Sequence, residues 1–246
     1  KYKVYILDEV HMLSKSAANA LLKTLEEPPP HVVFILATTE THKIPETVLS
    51  RCEVYTFKKP SQEILKKVVI SVAKKEGYTI DDASAELVAL LGDGSFRDTQ
   101  GIVQKIVAYS KNKTISEEEV RLVTGAPAID LVHGVVSAIA EKDLPKGLEA
   151  VKKAVSQNID ISVFLKLILH TTRAAMLVRF GAGNTVKEDL SEKEFTFVSG
   201  LAKNGENFSS GTLVELLTAY ERTGGAYISS LPLELALVNI ISPKST

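Results

Sequence analysis

The chain has 246 residues, and its 29 basic and 30 acidic side chains nearly cancel to a net charge of −1, so no global field draws it to nucleic acid or to an anionic membrane. At 45% hydrophobic and 24% charged residues it has the make-up of globular domains, which excludes disordered, collagen-like and low-complexity classes. Uninterrupted apolar runs such as Val32 to Ala37 fall far short of the roughly 18 residues of a membrane span, and the single cysteine, Cys52, excludes an internal disulfide.

Tyr2 to Asp8 (YKVYILD) is a short apolar run ending in acid, which predicts a buried parallel strand. A parallel sheet is not opened by an isolated strand, and the chain starts on Lys1, so it reads as a fragment of a longer protein. From Ser14 to Glu27, Ala18, Leu21, Leu22 and Leu25 recur at helical spacing behind a Ser14 cap. Pro28, Pro29 and Pro30 cannot continue that helix. Val32 to Ala37 predicts a second buried strand. A short helical stretch around Glu46 to Leu49 precedes a third strand over Glu53 to Phe57, an α/β order. After Lys59 and Pro60 the strands stop. Helices are predicted over Ser61 to Glu76, Asp82 to Leu91 and Phe96 to Ser110, and a Ser116/Glu119 capping box opens a fourth. Gly125, Ala126 and Pro127 mark a boundary. Beyond it lie six more helical patterns, near 129–141, 145–156, 161–180, 192–203, 210–223 and 231–241.

Asp8 and Glu9 emerge at the end of the first strand, the usual place for ligand sites in parallel sheets. Asp8 suits Mg²⁺ held through its water shell, and Glu9 suits a base for water attacking a γ-phosphate. A strand ending in solvated charge gives the same pattern. Thr38 and Thr39 end the next strand, where a hydroxyl would hold that water or read the γ-phosphate if the two strands are neighbours. An ordinary strand end is the alternative. Arg51, in a loop, is placed to supply charge to a phosphoryl-transfer transition state, and Arg97, opening a helix beside Asp98, to reach a nucleotide. Either would equally be a solvated side chain. The histidines His11, His31, His42, His133 and His170 lack metal-ligand spacing and are assigned no metal. Cys52 reads as a small apolar filler. The pairs Lys58–Lys59, Lys66–Lys67 and Lys74–Lys75 read as solvated surface or as a basic stripe.

Taken together, YILDEVHMLSKSAANALLKTLEEPPPHVVFILATTETHKIPETVLSRC closely resembles the AAA+ ATPase core of bacterial clamp-loader subunits, of the DNA polymerase III tau/gamma type. The likeness is dense to about residue 59 and continues through GSFRD at 94–98. In that family ILDE is the Walker B strand, ATT sensor 1, SRC the arginine-finger motif and GSxRD sensor 2. The resemblance implies an α/β fragment of the AAA+ core over residues 1–59. An all-α lid bundle over 60–125 and an all-α collar over 126–246, the oligomerisation domain, would follow. It implies that Asp8 supports Mg²⁺, Glu9 activates water, and Thr39 with Thr38 senses the γ-phosphate. Arg51 would act in trans on ATP held by a neighbouring subunit, and Arg97 would contact the chain's own nucleotide.

The implied activity is ATP-driven loading of a sliding clamp on primed DNA in the bacterial cytoplasm, with delta, delta-prime and further tau/gamma subunits as partners. Two parts of the family pattern are not in these residues: the G-x-x-x-x-G-K-[ST] phosphate loop and the four-cysteine Zn²⁺ module. The chain alone is therefore expected neither to bind ATP tightly nor to hydrolyse it. Asp8-Glu9-Val10-His11 also fits the box of a DExH helicase, although a second α/β domain should then follow. A non-enzymatic assembly module built on residues 128–246 is the third reading.

Overall fold

The computed structural model describes residues 1–187, 190–203 and 205–242, which form two compact units, Lys1–Lys58 and Lys59–Thr246. It is mostly helical.

In the first unit β1 (Lys3–Leu7) and β2 (Val32–Leu36) pair in parallel, with Lys3 opposite Val32 and Leu7 opposite Leu36. A 12-residue helix, α1 (Lys15–Glu26), makes the crossover between them; Ser14 Oγ accepts from the Ala17 amide at its start, and three prolines follow its end. The short α2 (Glu46–Leu49) follows β2. Val10, Ile44 and Val48 form a small core with Leu22, Leu25, Leu36 and Cys52 around it.

Two expectations fail here. The strands are not buried: Val4, Tyr5, Ile6, Val33 and Ile35 are all exposed. Nor is there a strand over Glu53 to Phe57 among the described residues. Its side chains Val54, Tyr55 and Phe57 stand in solvent, and Phe57 is 92% exposed. Strand propensity supplies no ladder by itself, and neither edge of the β1–β2 pair meets this segment's backbone.

The second unit begins with α3 (Gln62–Lys75), α4 (Asp82–Leu91), α5 (Phe96–Tyr109) and α6 (Glu117–Thr124). Strands do not stop at Pro60 as expected, because β3 (Thr79–Ile80) and β4 (Thr114–Ile115) form a two-residue parallel bridge in this group. Val69, Ala73, Ala85, Val88, Val103, Ile106 and Val120 fill its core. The capping box is present: Ser116 Oγ accepts from the Glu119 amide, and Glu119 accepts from the Ser116 amide. Gly125 ends α6 in the left-handed region, φ 69°, as a C-terminal glycine does, and the next helix leaves at 73° to α6.

That helix, α7 (Ile129–Glu141), is followed by α8 (Leu144–Ser156), α9 (Ile161–Arg179), α10 (Asn184–Lys187), α11 (Glu192–Ala202), α12 (Ser210–Thr223) and α13 (Leu231–Ile241). Phe164, Leu165 and Ile168 of α9 lie at the centre of a second, larger core with Val135, Ile139, Phe208, Leu216, Leu233 and Leu237. At 19 residues, α9 is the one described helix that is singly long and apolar enough to cross a membrane, but half of its apolar stretch is buried inside the fold. Lys166, His170 and Arg173 interrupt it, which is why a search for unbroken apolar runs passes over it.

Polar contacts between described residues join the two helical groups. The Ser191 amide donates to Glu86 at 3.2 Å, Gln62 Nε2 meets His170 Nε2 at 3.4 Å, and Lys166 Nζ donates to the Leu91 carbonyl at 3.2 Å. Burial pushes the Glu86 carboxyl up, against the opposing pull of Lys66, 3.7 Å away. An acid whose pKa is raised by folding binds more protons folded than unfolded, so its ionisation lowers stability as pH rises through that window.

Two stability predictions follow from this packing. Phe164→Ala should cost about 3–5 kcal/mol in urea unfolding followed at 222 nm, whereas Phe57→Ser should stay within about 0.5 kcal/mol. Glu86→Gln should stabilise the chain at pH 7, with the gain shrinking as pH falls below the ordinary carboxylate range. A gain independent of pH would contradict the assignment.

Candidate functional site

The site in the first unit is made by two strand ends in register. The Ala37 amide donates to the Leu7 carbonyl at 2.8 Å, and the Val10 amide donates back to the Ala37 carbonyl at 2.9 Å, so the pairing outlasts β2 by one residue and takes in Val10, three residues past β1. This brings Asp8, Glu9, Thr38 and Thr39 to the same end of the sheet. Glu9 has φ 48°, in the left-handed region that a non-glycine residue rarely occupies. The turn is held by Asp8 Oδ1, which accepts from the Glu9 amide at 3.0 Å, and by the buried Val10 that follows. Such strain persists where the surroundings over-determine it, and functional sites are where it concentrates.

His11 joins the two ends. Its side chain is 9% exposed, with Nδ1 2.9 Å from Thr38 Oγ1 and 3.3 Å from a Glu9 oxygen, and Nε2 3.2 Å from a Glu40 oxygen. Thr38 Oγ1 also accepts from the Glu40 amide at 3.0 Å, and Lys43 Nζ donates to Glu40 at 2.8 Å. If Nε2 carries the proton to Glu40, Nδ1 is left to accept from the Thr38 hydroxyl; a doubly protonated ring donates to both sides. In either state the imidazole links Thr38 to Glu40, and when both ring nitrogens are protonated Nδ1 also faces Glu9 as a donor. Thr39 is exposed and hydrogen-bonds to no described residue, so Thr38 is the threonine the network engages. His11 and Glu40 are the members that reasoning from sequence passed over. The D-E-x-H spacing contained the first, but its value depends on a neighbouring strand.

The second oxygen of Asp8 receives no hydrogen bond from a described residue. An exposed hard-oxygen donor of this kind fits Mg²⁺ held through water. Among the described residues no group of three or more His, Cys, Asp or Glu is placed to hold a metal, and the lone Cys52 does not fit a cysteine-bound Zn²⁺.

Arg51 sits just past α2. Its Nη1 donates to the Thr47 carbonyl at 2.6 Å, one of the acceptors a helix end leaves unmet, and its Nε donates to Glu26 at 2.7 Å.

Arg97 lies in the second unit, exposed in the first turn of α5, where it bonds to no described residue. The turn before it is tightly specified. Asp93 and Gly94 have φ 51° and 74°, and a Cβ on Gly92 would fall 1.9 Å from Thr99 Oγ1. Ser95 caps α5 by accepting from the Asp98 amide at 3.1 Å. Lys166 of α9 reaches this turn, 3.8 Å from Asp93. Lys66 is paired with Asp82 and Glu86, and Lys67 with Glu63, so neither adds to a free basic stripe.

The DNA polymerase III delta subunit family matches residues 1–61. The tau subunit of Bacillus subtilis is 35% identical over 182 residues, 74% of this chain and 32% of that protein. That of Escherichia coli is 33% identical over 187 residues, 75% of this chain and 29% of that protein. The chain is a homologue of the tau/gamma subunits of DNA polymerase III. The likeness reaches almost end to end in the gamma/tau subunit of Mycoplasma genitalium, 29% identical over 96% of this chain and 42% of that protein. The tau/gamma homologue thus spans about a third of the length of the curated relatives it matches. Among solved structures, the clamp loader delta protein of Bacillus subtilis covers 98% of this chain and 78% of its own, at 19% identity and a TM-score of 0.44.

The network makes a local prediction. Thr38→Val should move the amide signals of Glu9–Met12 and Thr38–Glu40, leave those of α9 in place, and cost about 1–3 kcal/mol, because it strips His11 Nδ1 and the Glu40 amide of a partner. Unmoved Glu9–Met12 signals would contradict the coupling.

Proposed function

We propose that the chain is the part of a DNA polymerase III clamp-loader subunit that reads nucleotide state and passes it to neighbouring subunits. The observation that carries this is the convergence of Glu9 and Thr38 on one buried imidazole at the carboxyl ends of two parallel strands. Relatives named as tau/gamma subunits support it. In this reading Glu9 orients and deprotonates the attacking water. Thr38, with Thr39 beside it, senses the γ-phosphate, and Asp8 holds Mg²⁺ through water, which neutralises charge on the phosphates. Through His11, a change at Thr38 is felt at Glu9. Arg97 approaches the phosphates of the chain's own nucleotide, and Lys166 ties the turn before it to α9.

Arg51 acts in trans, on ATP held by the adjacent subunit. The layout assigned to residues 1–59, 60–125 and 126–246 is an AAA+ core, a lid and a collar. Val214 and Leu217 of α12 with Leu231 and Leu235 of α13 are exposed apolar side chains suited to the collar's contacts with delta, delta-prime or further tau/gamma subunits. Sliding clamp and primed DNA are the substrates of the whole assembly, which works in the cytoplasm. With no phosphate-loop motif in these residues, the chain alone neither binds ATP tightly nor turns it over, and Zn²⁺ belongs to a module outside them.

The trans role is testable with the chain as it is. Assembled with a neighbouring subunit that carries its own phosphate loop and ATP, the chain should stimulate that subunit's hydrolysis, and Arg51→Ala should remove about 10³-fold or more of the stimulation. Arg51→Lys should not restore it, since an ammonium lacks the planar fork. Stimulation within twofold of the unaltered chain would contradict the role.

A further inference from the structure

Arg51 is already occupied within its own chain. A guanidinium has five N–H donors. Nε and Nη2 both meet Glu26 Oε1, the former at 2.7 Å, and Nη1 donates to the Thr47 carbonyl at 2.6 Å and to Ser50 Oγ at 3.2 Å. That leaves one N–H, on Nη2. An arginine gripping a phosphate characteristically uses two parallel donors, so Arg51 cannot keep all these contacts and also present a fork to an incoming phosphate.

Glu26 is well placed to compete for that fork. It is the last residue of α1, where the partial negative charge of the helix end adds to its own carboxylate, so a cation there is favoured twice over. Proline at 28, 29 and 30 fixes where the helix stops. Arg51 is the only described partner of Glu26. The pair is nonetheless easy to part: the two side chains are 33% and 48% exposed, so water and salt compete for both.

We propose that Glu26 is a positioning residue that holds Arg51 on its own chain until the phosphate of a neighbouring subunit's nucleotide displaces it. The exchange is one anion for another on the same guanidinium. It keeps the arginine charged, ordered and engaged before assembly, and delivers it only where a phosphate stands within reach. The proposal rests on the trans reading of Arg51.

The test titrates the ATP-loaded neighbouring subunit against the unaltered chain, Glu26→Gln, Glu26→Asp and Arg51→Ala, reading both the half-saturating concentration and the turnover at saturation. In parallel, the Arg51 Nε–H signal is followed in ¹⁵N spectra of each isolated chain. Glu26→Gln should shift that signal toward solvated arginine. It should also lower the half-saturating concentration about two- to fivefold, the scale of a partly exposed ion pair, and leave turnover at saturation unchanged. Glu26→Asp, which keeps the charge on a shorter arm, should fall between the two. The difference should fade in high salt.

A Glu26→Gln chain with reduced turnover at saturation would overturn the proposal, making Glu26 a fixed support for the bound arginine. An unmoved half-saturating concentration or an unmoved Nε–H signal would also overturn it. Full activity of Arg51→Ala would overturn the trans reading itself, and the proposal with it.

Discussion

The site in the first unit depends on one short parallel ladder. Strands β1 and β2 run in register from Lys3–Val32 to Leu7–Leu36, and the backbone bonds at Ala37 carry the pairing one residue further. A slip of one residue would turn every side chain to the opposite face of the sheet. Glu9 would then point away from Thr38, and His11 would have nothing to bridge. The left-handed turn at Glu9 is set by the same bonds, because the Val10 amide must reach the Ala37 carbonyl while the Val10 side chain enters the small core. Chemistry-bearing residues 27 to 29 positions apart in the chain become neighbours through five strand residues on each side.

The second unit applies another device to its own polar residue. Arg97 stands on a turn in which Gly92 leaves room for Thr99, Gly94 takes a positive φ and Ser95 caps the helix. Each condition constrains where α5 begins. Lys166 then fastens the turn to α9, the helix around which the larger core is built. A displacement of the turn that carries Arg97 therefore has a physical route to α9: the Lys166 tether, beside the Leu87 and Leu90 side chains packed against the larger core.

Helices were the most legible part of the sequence, because spacing, caps and prolines are local. Ser14, Ser61, Asp81, Ser95 and Ser116 each accept a bond from the first turn of the helix they precede. The strands were legible only in part. Val32 to Ala37 reads as a strand and is one, yet whether it is covered depends on what packs over it. Glu53 to Phe57 is likewise rich in β-branched and aromatic residues, and has no ladder. Asp8, Glu9 and Thr38 could be picked out by position, because strand ends can be read from a chain. Glu26, His11 and Glu40 could not, because each acquires its role from a residue 25 to 29 positions away. Spacing along a helix or strand carries no information about such pairs.

Glu26 and His11 each hold a candidate functional side chain within the chain's own structure, and for Glu26 the proposed consequence is release of Arg51 to a neighbour's nucleotide. What tests this most directly is a cryo-EM structure of the chain assembled with an ATP-analogue-bound neighbouring subunit, at a resolution that shows side chains. The account predicts the Arg51 guanidinium at the neighbour's γ-phosphate, with Glu26 no longer its partner. Arg51 still on Glu26, facing away from a bound nucleotide, would contradict it.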